Sequence, residues 1–273
     1  QLGQIGRGRC PETLARLRAV VTGLTRDTAD TPDECPCLEL VDAGDGFWVR
    51  IPGMTAFTRD ESFALASIIQ GIFQHAYAEQ GLFATLHAAA VTPDGRGAIL
   101  LPGVSGAGKS TLSAWLAADG WGYLGDDVVA LGLNGMSPEV NLLPLPTAIG
   151  VKPASWPILR EAYPALDDLA PIHYADRCAK YVPIARGDRS GAGVFPVKAL
   201  VLPGFLPGQP LALTALAPVT ALCRLIECGV TIGERFEHTR VNRLLDLLEQ
   251  LPCYQLTYPN LEAAASQLRD LFR

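Results

Sequence analysis

The chain has 273 residues, 49% of them hydrophobic and 18% charged, with a formal net charge of -6. That balance excludes a disordered chain, and the acidic surplus argues against a nucleic-acid partner because it repels phosphate backbones. No run of about 18 apolar residues occurs, so no membrane-spanning helix is expected. The opening QLGQIGRGRC lacks the apolar stretch of a signal peptide. The seven cysteines, Cys10, Cys35, Cys37, Cys178, Cys223, Cys228 and Cys253, are odd in number and irregular in spacing. They read as inert thiols in a reducing compartment, hence the cytoplasm.

In chain order, Leu14, Leu17, Val20, Val21 and Leu24 predict a helix over 12–24. Residues 26–34 are polar, hold a proline and read as a loop. CLELV and GFWVRI read as two strands around a turn from Asp42 to Gly46. Thr58 and Glu61 stand in capping-box spacing. Leu65, Ile68, Ile69, Ile72, Phe73 and Ala76 follow at helical intervals, with Gly81 as the stop. Residues 1–80 thus read as a small α+β region without a chemical motif. LFATLHAAAV then reads as one strand, Asp94-Gly95 as a turn and GAILLPG as a buried strand. A helix is expected from Lys109 to Ala118, with Leu112, Trp115 and Leu116 inward and Gly120 ending it. YLGDDVVAL reads as one strand-like element, and the proline-rich 142–170 as irregular chain. KALVLPG and PLALTAL read as strands. Helices are expected at 218–228, 239–250 and 260–272, with the strand CYQLTY between the last two. Residues 81–273 so make an α/β domain.

Gly103-Val104-Ser105-Gly106-Ala107-Gly108-Lys109-Ser110 matches the pattern G-x-x-x-x-G-K-S/T in full. Small side chains let backbone N–H groups converge on anionic oxygens. The helix that follows, with Thr111 next in line, aims its positive end at the same place. Lys109 can then reach the β and γ phosphates of ATP, and Ser110 can hold Mg²⁺. A buried strand before the loop and an amphipathic helix after it supply the context the motif demands.

Asp126 and Asp127 follow the loop helix. One carboxylate can hold Mg²⁺, directly or through water, and the other can accept the proton of an attacking hydroxyl. Which does which is open. His87 lies in the apolar run before the loop strand, where a histidine is commonly a satisfied core residue.

Together, Leu86-His87, the turn at Asp94-Gly95, GVSGAGKS and LGDDVV resemble the HPr kinase/phosphorylase superfamily over residues 83–131. The tail LPCYQLTYPNLEAA is similar to the end of HPr-kinase-related proteins. This resemblance implies a P-loop kinase core of HPr-kinase type over 81–273, with the small N-terminal α+β region preceding it. It implies that Lys109 holds phosphates, Ser110 and Asp126 the metal, and that Asp126 and Asp127 supply base and metal contacts. It sets His87 beside the transferred phosphoryl group and makes a serine hydroxyl the acceptor. The family's Glu-x-Arg-Gly run is missing, and VNLLPLPTAIGVK stands in its place. That departure argues against HPr as substrate and against the reverse phosphorolysis. The chain looks more like the HPr-kinase-related enzymes of peptide biosynthetic clusters, some of which phosphorylate a lasso-peptide precursor. Lys152 can meet an anionic group or simply be solvated. Arg177, Lys180, Arg186 and Arg189 form a basic cluster that reads as a solvated loop, the alternatives being to receive a peptide carboxylate or to stabilise the transferring phosphate.

The expected activity is transfer of the γ-phosphate of ATP to a serine of a peptide or protein, with Mg²⁺. The alternatives are a kinase of free serine or a similar metabolite, and a nucleotide-gated binding module with little catalysis. Neither the Asn-Lys-x-Asp pattern of GTPases nor the Leu-Ser-Gly-Gly pattern of transporter ATPases occurs. Related kinases often assemble, and the apolar content here permits a homo-oligomer.

Overall fold

A computed structural model describes residues 19–20, 39–51, 53–77, 81–133, 139–174, 177–184, 193–232 and 238–272. It is a mixed α/β structure with a sheet-rich core. Val20 and its neighbour Ala19 are helical, and the rest of the helix expected over 12–24 lies outside the described residues. Strands β1 (Glu39–Asp42), β2 (Phe47–Ile51) and β3 (Met54–Thr58) form an antiparallel sheet. The turn from Asp42 to Gly46 is where the sequence puts it, whereas β3 is an added strand. Helix α1 (Glu61–Ala76) follows. Its cap is Asp60 and not Thr58: Asp60 Oδ1 accepts the Phe63 N–H at 3.3 Å, while Thr58 Oγ1 accepts the Asp60 N–H at 3.0 Å. The helix ends at Ala76, well before Gly81.

The remaining elements are β4 (Leu82–Leu86), β5 (Ala88–Thr92), β6 (Ala98–Pro102), α2 (Lys109–Ala118), β7 (Gly122–Gly125) and β8 (Val129–Leu133). Then come β9 (Val140–Leu143), β10 (Ile149–Val151), the one-turn α3 (Trp156–Leu159), β11 (Ile172–Tyr174), β12 (Arg177–Val182) and β13 (Phe195–Phe205). The chain closes with β14 (Ala212–Ala215), α4 (Pro218–Cys228), β15 (Val230–Thr231), α5 (His238–Gln250), β16 (Cys253–Tyr258) and α6 (Leu261–Leu271). Two single runs of the sequence are therefore split. LFATLHAAAV breaks at His87 into β4 and β5, and YLGDDVVAL breaks at Asp126 to Val128 into β7 and β8. The stretch 142–170 is more ordered than its prolines imply.

Ten strands form one sheet in the order β15-β4-β8-β9-β13-β6-β5-β7, with β16 on β13 and β14 on β16. Apolar residues of β6 alternate between its two faces. Leu100 joins Leu200, Leu131 and Leu142 beneath Leu225 of α4 and Leu244 of α5. Ile99 and Leu101 join Val201 and Leu256 beneath Leu112 of α2 and Leu268 of α6. Helices thus cover both faces of β6, as a buried parallel pair such as β6 and β13 requires. The small sheet and α1 pack through Leu40, Val49, Leu65 and Phe73 onto Ala130 of β8 and Leu143 of β9. Among the described residues no helix is long and apolar enough to cross a membrane.

Candidate active site

Strand β5 is antiparallel to β6 on one side and to β7 on the other. Strands β6 and β7 therefore run parallel to each other, two strand spacings or about 10 Å apart. Their carboxyl ends open at the same edge, where β5 begins. The glycine loop leaves β6 there, Asp126 and Asp127 leave β7 there, and His87 stands just before β5. Three segments distant in sequence meet because of strand direction alone.

Gly106 and Gly108 have φ of +90° and +95°, which side chains with a Cβ adopt at a cost. Gly108 is the N-cap of α2. A Cβ there would run into the Tyr258 hydroxyl, which is buried and unpartnered among the described residues. Gly108→Ala is expected to lose on the order of 2–4 kcal/mol in denaturant unfolding. Adding Tyr258→Phe should recover about 1 kcal/mol or more, because it removes the collision and an orphaned hydroxyl together. No recovery in the double variant would place the whole cost in the backbone.

Lys109 is buried, 6% exposed, and folds back over the start of its own loop. Its Nζ donates to the Gly103 carbonyl at 2.7 Å and to that of Val104 at 3.3 Å. Burial pulls the ammonium below its ordinary value, and the carboxylates of Asp126 and Asp127 oppose that pull.

The two aspartates sit in opposite environments. Asp126 is 5% exposed, whereas the Asp127 side chain is 70% exposed. Their separation follows from a tight turn: Val128 N–H donates to the Asp126 carbonyl at 2.8 Å around Asp127, whose φ is +67°. Asp127 Oδ1 lies 3.3 Å from His87 Nε2. The other ring nitrogen, Nδ1, lies 3.2 Å from the Cys228 carbonyl, and the His87 N–H donates to the Gly229 carbonyl at 3.0 Å. His87 is thus held from both sides and aims at Asp127. Cys178, Cys223, Cys228 and Cys253 are free thiols.

Asp126 is pushed up to about 7, first by burial and next by the Asp127 charge. Hydrogen bonds from Ser110 and the Asp127 backbone, with the Lys109 charge, work against that rise. An ordinary carboxyl of this kind titrates near 3.8. The proton is bound more tightly in the folded chain. The folded state is therefore most favoured below about pH 4 and loses that advantage as pH rises through about 7. Asp126→Asn removes the buried charge. Without magnesium, it is expected to stabilise the fold by on the order of 3 kcal/mol at pH 8 and little at pH 4. A gain independent of pH, in thermal unfolding with a chelator present, would remove the buried charge as its cause.

Asp126 Oδ1 has no hydrogen-bond partner among the described residues. A buried, unpartnered carboxylate oxygen beside the Ser110 hydroxyl is a donor set that suits a hard cation such as Mg²⁺. No group of three or more His, Cys, Asp or Glu is placed to hold a metal among the described residues. Magnesium needs no such group where phosphate oxygens supply further ligands.

Loop, lysine, carboxylates and histidine line one cleft of about 460 Å³. Lys152 closes one side, its Nζ donating to Ser105 Oγ at 2.7 Å. The Thr111 and Ser155 hydroxyls lie 2.7 Å apart on another wall. The Phe205 and Tyr258 rings meet at a tilt, centroids 5.7 Å apart, against Gly108 of the loop. Sequence reasoning did not find Ser155, Phe205 or Tyr258, since only the fold brings them near residues 103–111. Of the basic cluster, Lys180 is occupied elsewhere, donating to the Leu166 carbonyl at 2.6 Å with Trp156 beneath it at 4.7 Å. The Arg177 side chain, Arg186 and Arg189 lie outside the described residues.

No family model matches the sequence, and no curated protein matches it. Among solved structures, the chain is similar to the Hpr(Ser) kinase/phosphatase from Coxiella burnetii. The identity is 13%, over 68% of this chain and 89% of that chain, with a TM-score of 0.33.

Proposed function

We propose that the protein is an ATP-dependent kinase of HPr-kinase type that phosphorylates a serine of a peptide or protein. The single observation behind this reading is the meeting of Lys109, Ser110, Asp126, Asp127 and His87 in one cleft. The triphosphate would lie over Gly103 to Ser110 and Thr111, its charge met by loop amides, the start of α2 and Lys109. Ser110 and Asp126 would hold Mg²⁺, which neutralises charge on the phosphates. Asp127 is the better candidate base: it is exposed, faces the cleft and is steadied by His87. The serine oxygen bonds to the γ-phosphorus in line while the bond to the β–γ bridging oxygen breaks. ADP leaves and the hydroxyl proton passes to Asp127.

The sequence resemblance favours a ribosomal (lasso) peptide precursor as acceptor, in the cytoplasm. Mass spectrometry of serine peptides and free serine after incubation with Mg·ATP tests the reading. One added phosphate on a peptide serine is the expected product. Preferential phosphorylation of free serine would make it a metabolite kinase. ATP turnover with no phosphorylated acceptor would make it a nucleotide-gated module.

A further inference from the structure

The cleft is larger than the phosphate site and changes chemistry along its length. In a loop of this pattern the amides cradle the α and β phosphates and the lysine reaches β and γ. The nucleoside end would therefore continue past Thr111, whose hydroxyl meets that of Ser155, with Ala154 and Ile158 also lining the cleft. The γ end lies at Lys109, beneath the two aspartates. Beside Asp127, the described residues Val20, Leu65, Ile69, Val128, Ala148 and Tyr181 form an arm that brings no charge to the cleft, which Lys152 also lines near Ser105. Val128 follows Asp127 directly and packs with Val20 and Ile69 against the α1 core. Val20 also packs against Ala148 and Tyr181, and its carbonyl accepts the Ala148 N–H at 2.8 Å. The N-terminal region thus builds one wall of the catalytic cleft.

A hydroxyl presented to Asp127 brings whatever is attached to it into this arm. Free serine would carry two charges against these mostly apolar described residues, and their desolvation disfavours it there. We infer that the acceptor is a serine peptide whose neighbouring residue is aliphatic or aromatic, seated against Leu65, Ile69 and Tyr181. This rests on the kinase reading above and names its substrate class. Methylene-sized changes in such a pocket alter kcat/KM by about 10–200-fold.

The test is kcat/KM for a panel of serine peptides flanked by Leu, Phe, Gly or Asp, with the unaltered protein and with Ile69→Glu. Leu and Phe peptides are expected to exceed Gly and Asp peptides by at least about 10-fold, and Ile69→Glu to erase the difference. Equal values across the panel with the unaltered protein would overturn the inference while leaving the kinase reading intact. So would an Ile69→Glu variant that binds ATP poorly and keeps the preference, since the arm would then seat the nucleotide base. If no serine peptide is phosphorylated at all, the peptide-kinase reading fails and takes the inference with it.

Discussion

Replacing Lys109 with Ala is expected to lower phosphoryl transfer by about 10³-fold, with nucleotide binding weakened as well. The ammonium occupies a desolvated position and, among the described residues, donates to two carbonyls of its own loop. Phosphate oxygens are stronger acceptors, because bonds between charged partners are about twice as strong as neutral ones. On the proposed function, the ammonium would exchange carbonyls for phosphate when the nucleotide enters, and its charge would be most useful as the γ-phosphoryl group moves. The variant should still fold. Alanine suits the first turn of α2, and below about pH 7, where Asp126 is protonated, the substitution leaves no uncompensated buried charge beside it. Steady-state turnover with an unfolding midpoint near that of the unaltered protein checks both halves. Turnover within a few-fold of normal would deny Lys109 its role.

Asp127→Asn is expected to cut turnover by about 10²–10⁴-fold and to leave ATP affinity within a few-fold. The substitution isolates proton transfer. Asn tolerates the positive φ at this position better than most residues and keeps an oxygen that can face His87. Single-turnover rates, with ATP binding measured separately, read the two effects apart. Normal turnover in Asp127→Asn combined with its loss in Asp126→Asn would move the base to Asp126. Normal turnover in both would end the assignment of either as base.

The glycine loop was legible in the sequence as a motif because it is local: eight consecutive residues set its turns, its lysine and the start of its helix. The aspartate pair was legible as chemistry but not as a division of labour. The proposed division rests on Asp126 being buried and Asp127 exposed, which a turn at positive φ sets up. The apolar run around His87 gives no sign that two strands meet there. Its break follows from the carbonyls of Cys228 and Gly229, far along the chain, which hold the histidine in place. Strand β3 escaped notice because Met54, Ala56 and Thr58 are only half-buried, so MTAFT shows weak alternation. The apolar arm is assembled from Val20, α1, Val128 and β12, and no local pattern announces it.

The most direct test is a calorimetric titration of the intact protein with Mg·ATP, run in parallel on Lys109→Ala. One saturable site per chain, much weakened in the variant, is the expected result. Absence of binding, or binding that the loss of Lys109 leaves unchanged, would contradict a nucleotide site at Gly103 to Ser110.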